Sequence, residues 1–88
     1  LMDNYPNPFN PYTTLRYEIL KDEKVEITVY DMSGRVVRKL LNNVQKAGQN
    51  HVQWNGLNDQ GMTVSSGSYL YNIQAGGHGE TRKMVLLR

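Results

Sequence analysis

The sequence predicts an all-β fold, a small antiparallel β-sandwich of about six to seven strands. Strand-like runs recur about every 10 to 12 residues with turn formers between them, as sandwiches require. Within most runs apolar and polar side chains alternate, the mark of a strand with one face buried. No segment sustains an apolar stripe at helical spacing. At 88 residues the chain can build one core.

Residues 1–12, LMDNYPNPFNPY, form an extended Pro-rich lead-in segment. Its three prolines remove backbone donors and bias their predecessors toward extended geometry, and Phe9 is the expected anchor into the core. The sandwich itself is expected over residues 13–88. In TTLRYEIL, Leu15, Tyr17 and Ile19 share one face. In KVEITVYD, Val25, Ile27 and Val29 do the same. Asp31-Met32-Ser33-Gly34 reads as a hairpin turn closed by a glycine at positive φ, with the Asp31 carboxylate accepting from local backbone donors. The next run, RVVRKLLN, pairs Val36 with Val37 and Leu40 with Leu41, so it needs a β-bulge or burial on both faces; a helix over Val36 to Val44 fits the same spacing. NHVQWN turns Val52 and Trp54 inward, Trp54 as the expected core centre. SYLYNIQA lines one face with Tyr69, Tyr71 and Ile73, and TRKMVLLR points Met84 and Leu86 inward.

Composition narrows the function classes. The chain has no cysteine, so disulfides and thiolate metal sites are excluded. A net charge of +2, spread through strand-like runs, argues against nucleic-acid binding. No apolar run approaches the ~20 residues of a membrane span. The chain opens on Leu1 without a signal peptide, and reads as a piece of a longer protein whose export signal would lie at its far end.

No catalytic constellation emerges. His51 and His78 lack metal-binding spacing, Ser33 lacks the flanking glycines of a nucleophile elbow, and no base or paired carboxylate accompanies them. Neither a metal nor a cofactor is expected. Asn55, Asn58 and Asp59 faintly resemble a calcium loop but lack its alternating acids and closing glutamate, which leaves calcium binding open. A sugar-stacking platform would need exposed rings. By parity Trp54, Tyr69 and Tyr71 face inward, leaving Tyr5, Tyr12 and Tyr30 toward solvent.

The segments YPNPFNPYTTLRYE, VYDMSGRVV, AGQNHVQWNGLNDQG, SSGSYLYNIQAGG and TRKMVLLR, taken in order, resemble the type A C-terminal sorting domain of the type IX secretion system. Through VYDMSGRVV, WNGLNDQG and SGSYLYNI the chain is also similar to the Ig-like domain of flagellar hook-capping proteins. The resemblance implies an Ig-like sandwich that acts as an address label for a cargo fused at its N-terminus. That cargo would cross the periplasm of a Gram-negative bacterium and meet an outer-membrane translocon. A sortase-like peptidase then commonly removes the label and links the cargo to lipopolysaccharide, giving a secreted or cell-surface product.

Matching positions are Pro6, Asn7 and Pro8, the Asp31 and Gly34 turn, Gly67 and Tyr69 at a strand start, and the terminus Lys83, Met84, Val85, Leu86, Leu87 and Arg88; the last is arginine where lysine is more usual. Trp54 lies within the matched WNGLNDQG block. The terminal six are the expected recognition residues, because an edge strand offers backbone groups for strand addition. The alternatives are an Ig-like spacer or adhesive module of a surface protein or filament, and carbohydrate binding.

Overall fold

The computed structural model describes residues 3–88; Leu1 and Met2 of the lead-in segment lie outside the described residues. Six strands follow in order: β1 (Thr13–Ile19), β2 (Glu23–Asp31), β3 (Val36–Gln45), β4 (Gly48–Trp54), β5 (Gly67–Ala75) and β6 (His78–Leu86). They build two antiparallel sheets, β1 with β4 and, opposite, the order β3-β2-β5-β6. Among the described residues there is no helix, so Val36 to Val44 is strand. The closing strand starts at His78, three residues earlier than its alternation suggests, because His78 pairs with Ala75 across the turn.

The doubled hydrophobics of β3 are accommodated by two bulges. Ile27 pairs with Leu41 but Thr28 with Lys39, and Val29 pairs with Arg38 but Tyr30 with Val36, which leaves Leu40 and Val37 as the extra residues. Each extra residue resets the side-chain parity. Val37, Leu40 and Leu41 can therefore all lean on the core although they are neighbours in sequence.

Alternation decides the rest of the core. Leu15, Tyr17 and Ile19 from β1 meet Val25, Ile27 and Val29 from β2, Tyr69, Tyr71 and Ile73 from β5, and Met84 and Leu86 from β6, all buried. Trp54 is fully buried among them. Its ring lies 5.6 Å from Phe9 at a tilt of 57° and 5.4 Å from Tyr69 edge-on, and its indole N–H donates to the Leu57 carbonyl at 2.9 Å. Phe9, from the lead-in segment, is 2% exposed and so belongs to the core itself.

Truncating Phe9 removes one of Trp54's two ring partners. Phe9→Ala is expected to cost about 3–5 kcal/mol in urea unfolding, the usual range for deleting a buried phenyl ring. Tyr12→Ala on the same segment, where the ring is 53% exposed, should be near neutral.

Candidate recognition surface at the closing strand

The lead-in segment explains the shape of this surface. Tyr5 exchanges both backbone hydrogen bonds with Thr14 on β1, at 3.0 and 2.8 Å. Four residues later Phe9 N–H donates to the Val85 carbonyl and its own carbonyl accepts from Leu87 N–H, both at 3.0 Å. The segment is thus a strap that pairs with one edge of each sheet and closes the open side between them. Its prolines suit the task, because a strap whose backbone pairs with the strands at Tyr5 and Phe9 has no need of donors at Pro6, Pro8 and Pro11. Asn7 adds a side-chain bond, its Oδ1 accepting from Val85 N–H at 3.0 Å.

Beneath the strap lies a buried polar cluster with no periodic signal in the sequence. Asn4 N–H donates to the Tyr71 hydroxyl at 3.1 Å, Asn4 Nδ2 donates to Thr13 Oγ1 at 3.0 Å, and the Thr13 hydroxyl donates to the Pro6 carbonyl at 2.8 Å. Burial is the main influence on the Tyr71 hydroxyl and raises its pKa. At the rim Arg82 pairs with Asp3 at 2.6 Å and Glu80 at 2.8 Å.

The six terminal residues divide by their surroundings. Met84 and Leu86 are fully buried and offer no side chain to a partner in the folded domain. Lys83 and Leu87 are exposed and Val85 is half-buried. Arg88 turns back on the domain: its guanidinium donates to the Val64 carbonyl at 2.7 Å and the Gly56 carbonyl at 2.8 Å, and its N–H donates to Ser66 Oγ at 2.9 Å. Gly56 makes room for this clasp. With φ at +74° it occupies backbone space few other residues adopt, and a Cβ there would lie 2.7 Å from Arg88 Nη2.

The turn after β2 is built from Asp31 and Gly34. Asp31 Oδ1 accepts from the N–H groups of Ser33 and Arg35, at 2.9 and 3.0 Å, and Oδ2 accepts from Arg35 Nε at 3.0 Å. Gly34 supplies the turn's positive φ of 89°. The backbone N–H of Arg35 is the chief reason that the Asp31 carboxyl titrates below its ordinary value of 3.8. Gly67 opens β5, and two residues on Tyr69 donates its hydroxyl to the Ser65 carbonyl at 2.6 Å.

The remaining candidates lie apart. His51 sits on the outer face of β4, His78 at the start of β6, and Ser33 in the exposed Asp31 turn. One side-chain oxygen each of Asn55, Asn58 and Asp59 is bonded within the chain. Asn55 Oδ1 accepts from Leu57 N–H, Asn58 Oδ1 from the N–H groups of Gln60 and Met62, and Asp59 Oδ1 from Lys39 N–H at 2.9 Å. Asp59 also faces Arg38 and donates its own N–H to the Val37 carbonyl at the bulge. The asparagines thus brace the loop internally, and Asp59 clamps it to β3. Tyr5 and Tyr12 are exposed as expected, whereas Tyr30 is half-buried.

The family model of the FlgD Ig-like domain matches residues 13–79. The chain belongs to the FlgD Ig-like domain family. No curated protein gives a significant match. Among solved structures, dimeric latent PorU from Porphyromonas gingivalis is similar at 22% identity and a TM-score of 0.77, over 97% of this chain and 9% of PorU. PorZ of P. gingivalis, an essential bacterial surface component of the type-IX secretion system, is similar at 19% identity and 0.65, over 98% of this chain and 11% of PorZ. FlgD from P. aeruginosa matches at 25% identity and 0.66, over 84% of this chain and 58% of that chain. The chain therefore corresponds to a small part of PorU and PorZ and to just over half of the FlgD chain. The PorU and PorZ likenesses, under 25% identical, show the fold. The FlgD Ig-like family model leaves out residues 1–12 and 80–88, which contain the strap and nearly all of the closing segment that it pairs with.

Two measurements check this account. Arg88→Ala removes two hydrogen bonds from the clasp and is expected to cost on the order of 1 kcal/mol, or about 4–8 °C in Tm for a domain of this size. For Asp31 the folded pKa is the lower one, so its contribution is present at neutral pH and is lost as pH falls through that value. Unfolding curves of the native chain and Asp31→Asn should differ at pH 7 and converge as pH drops below the ordinary aspartate range.

Proposed function

We propose that the chain is a non-catalytic sorting and anchoring module, which directs a protein fused to its N-terminus across the outer membrane through the type IX secretion system. The observation that carries this reading is the extent of the likeness to PorU and PorZ. It spans 97% and 98% of the chain, against 84% and 90% for two FlgD structures, and the FlgD Ig-like model covers 13–79. The strap and most of the closing segment lie outside the family model's 13–79 and bond to each other. On this reading the partners are the outer-membrane translocon, a sortase-like peptidase and the fused cargo, and the product is secreted or held at the cell surface. Lys83 and Leu87, the exposed side chains of the closing segment, supply the contacts.

A second reading has its own support. Membership of the FlgD Ig-like family, with an FlgD chain similar over 84% of this one, favours an Ig-like spacer or assembly module of a surface protein or filament.

Fusion of the whole chain to the C-terminus of a reporter, in a host that has the secretion system, separates the two. The reporter is expected outside the cell, and Lys83→Glu with Leu87→Glu should leave it in the periplasm with the domain still folded. Deleting Lys83 to Arg88 would be a poor test, since it also removes Met84 and Leu86 from the core. A native fusion that stays periplasmic while folded overturns the sorting reading.

A further inference from the structure

The outer faces of the two sheets use their polar side chains differently. On the four-stranded sheet they bond one another: Lys24 pairs with Glu26, and Asn72 donates to Thr81 and accepts from Gln74. On the two-stranded sheet Thr14, Arg16, Gln49, His51 and Gln53 turn outward and line an open depression of about 580 Å³. Among the described residues none of these five side chains has a hydrogen-bond or ion-pair partner. All but Thr14 are exposed, so their donors and acceptors are free to meet a ligand.

Register puts the basic groups together. Arg16 lies directly across from His51, and Thr14 from Gln53. Residues so opposed share a face, with Cβ atoms about 5 Å apart. The carboxylate on this face, Glu18, stands opposite Gln49, makes no ion pair with Arg16 and is not part of the lining. The depression thus holds an arginine without a counter-charge, a histidine beside it, and two amides and a hydroxyl around them.

The strap adds a ring. Tyr5 pairs antiparallel with Thr14, and residues opposed in such a pair send their side chains to the same side. The Tyr5 ring, 71% exposed, therefore flanks the depression.

We propose that this face binds an acidic saccharide, a sugar chain that carries carboxylates. Arg16 takes a carboxylate through paired, charge-assisted hydrogen bonds. Gln49, Gln53 and Thr14 bond the hydroxyls, and the Tyr5 ring stacks on the apolar side of a pyranose. A protein partner suits the face less well, because the lining is polar throughout whereas the core of a protein interface is enriched in apolar and aromatic residues. The site shares no residue with the closing segment, so it is independent of the sorting reading.

Titrating the whole chain with trigalacturonate, followed by amide NMR, tests the proposal, with maltotriose as the neutral sugar and poly-glutamate as the polyanion without sugar. Trigalacturonate is expected to shift the Arg16 and His51 amides, and both controls to bind far more weakly. Arg16→Gln should weaken trigalacturonate binding roughly tenfold or more, as loss of a charged hydrogen-bonding group does, and Tyr5→Ala several-fold. Both side chains are exposed, so the unfolding midpoints should stay near that of the native chain. Lys24→Gln, on the other sheet, should bind as the native chain does. Unmoved Arg16 and His51 amides at millimolar trigalacturonate, or undiminished binding by Arg16→Gln, overturns the proposal. Equal affinity for poly-glutamate would reduce the face to a patch of charge, and equal affinity for maltotriose would remove the need for an acid; either result overturns it too.

Discussion

The position of Trp54 is the constraint on which the structure depends. It ends β4 in the two-stranded sheet, touches Tyr69 of the four-stranded sheet, and is covered by Phe9 of the strap. One side chain thus joins three parts of the chain that are distant in sequence. A buried indole also needs a hydrogen bond. The Leu57 carbonyl supplies it, which fixes the loop after β4 as well. That loop in turn lies against the bulges of β3 through Asp59. A domain of this size without cysteine has few other means of making distant segments cooperate.

Closure follows from the same centre. A two-stranded sheet laid over a four-stranded one leaves open edges, and open edges invite pairing with other chains. The strap covers one side of that opening with its own backbone, and the anchor that holds it there is Phe9 against Trp54. Arg88 secures the end of the neighbouring segment to the loop below. Most of what distinguishes the chain from the shared FlgD Ig-like region is therefore one connected device, in which the beginning and the end of the chain are bonded to each other.

This arrangement shapes what the terminus can offer a partner. A segment with two fully buried side chains, a carbonyl and an amide already bonded to the strap, and a final guanidinium turned inward is part of the fold before it is a signal. On the sorting reading, what remains for a partner is the outward row at Lys83, Val85 and Leu87. On the sorting reading, stability and recognition would share the same few residues, so substitutions here are informative only when folding is measured alongside.

Much of this was legible from the residues alone. Alternation placed Leu15, Ile27, Trp54, Tyr71 and Met84 in the core, and Asp31 with Gly34 marked a hairpin, because strand parity and turn chemistry are local properties. The doubled hydrophobics of β3 announced a bulge without saying where it would fall. The sequence could not show that Arg88 bonds to carbonyls at Gly56 and Val64, that Asn4 and Thr13 are buried under the strap, or that two of the six terminal residues are set apart as core by the same edge that pairs with the strap. Those facts depend on which edges meet in three dimensions. By itself the sequence determined which face of each strand is apolar; only the tertiary structure decided which backbone edges are paired and which stay open, since a hydrogen-bond partner many residues away leaves no local pattern.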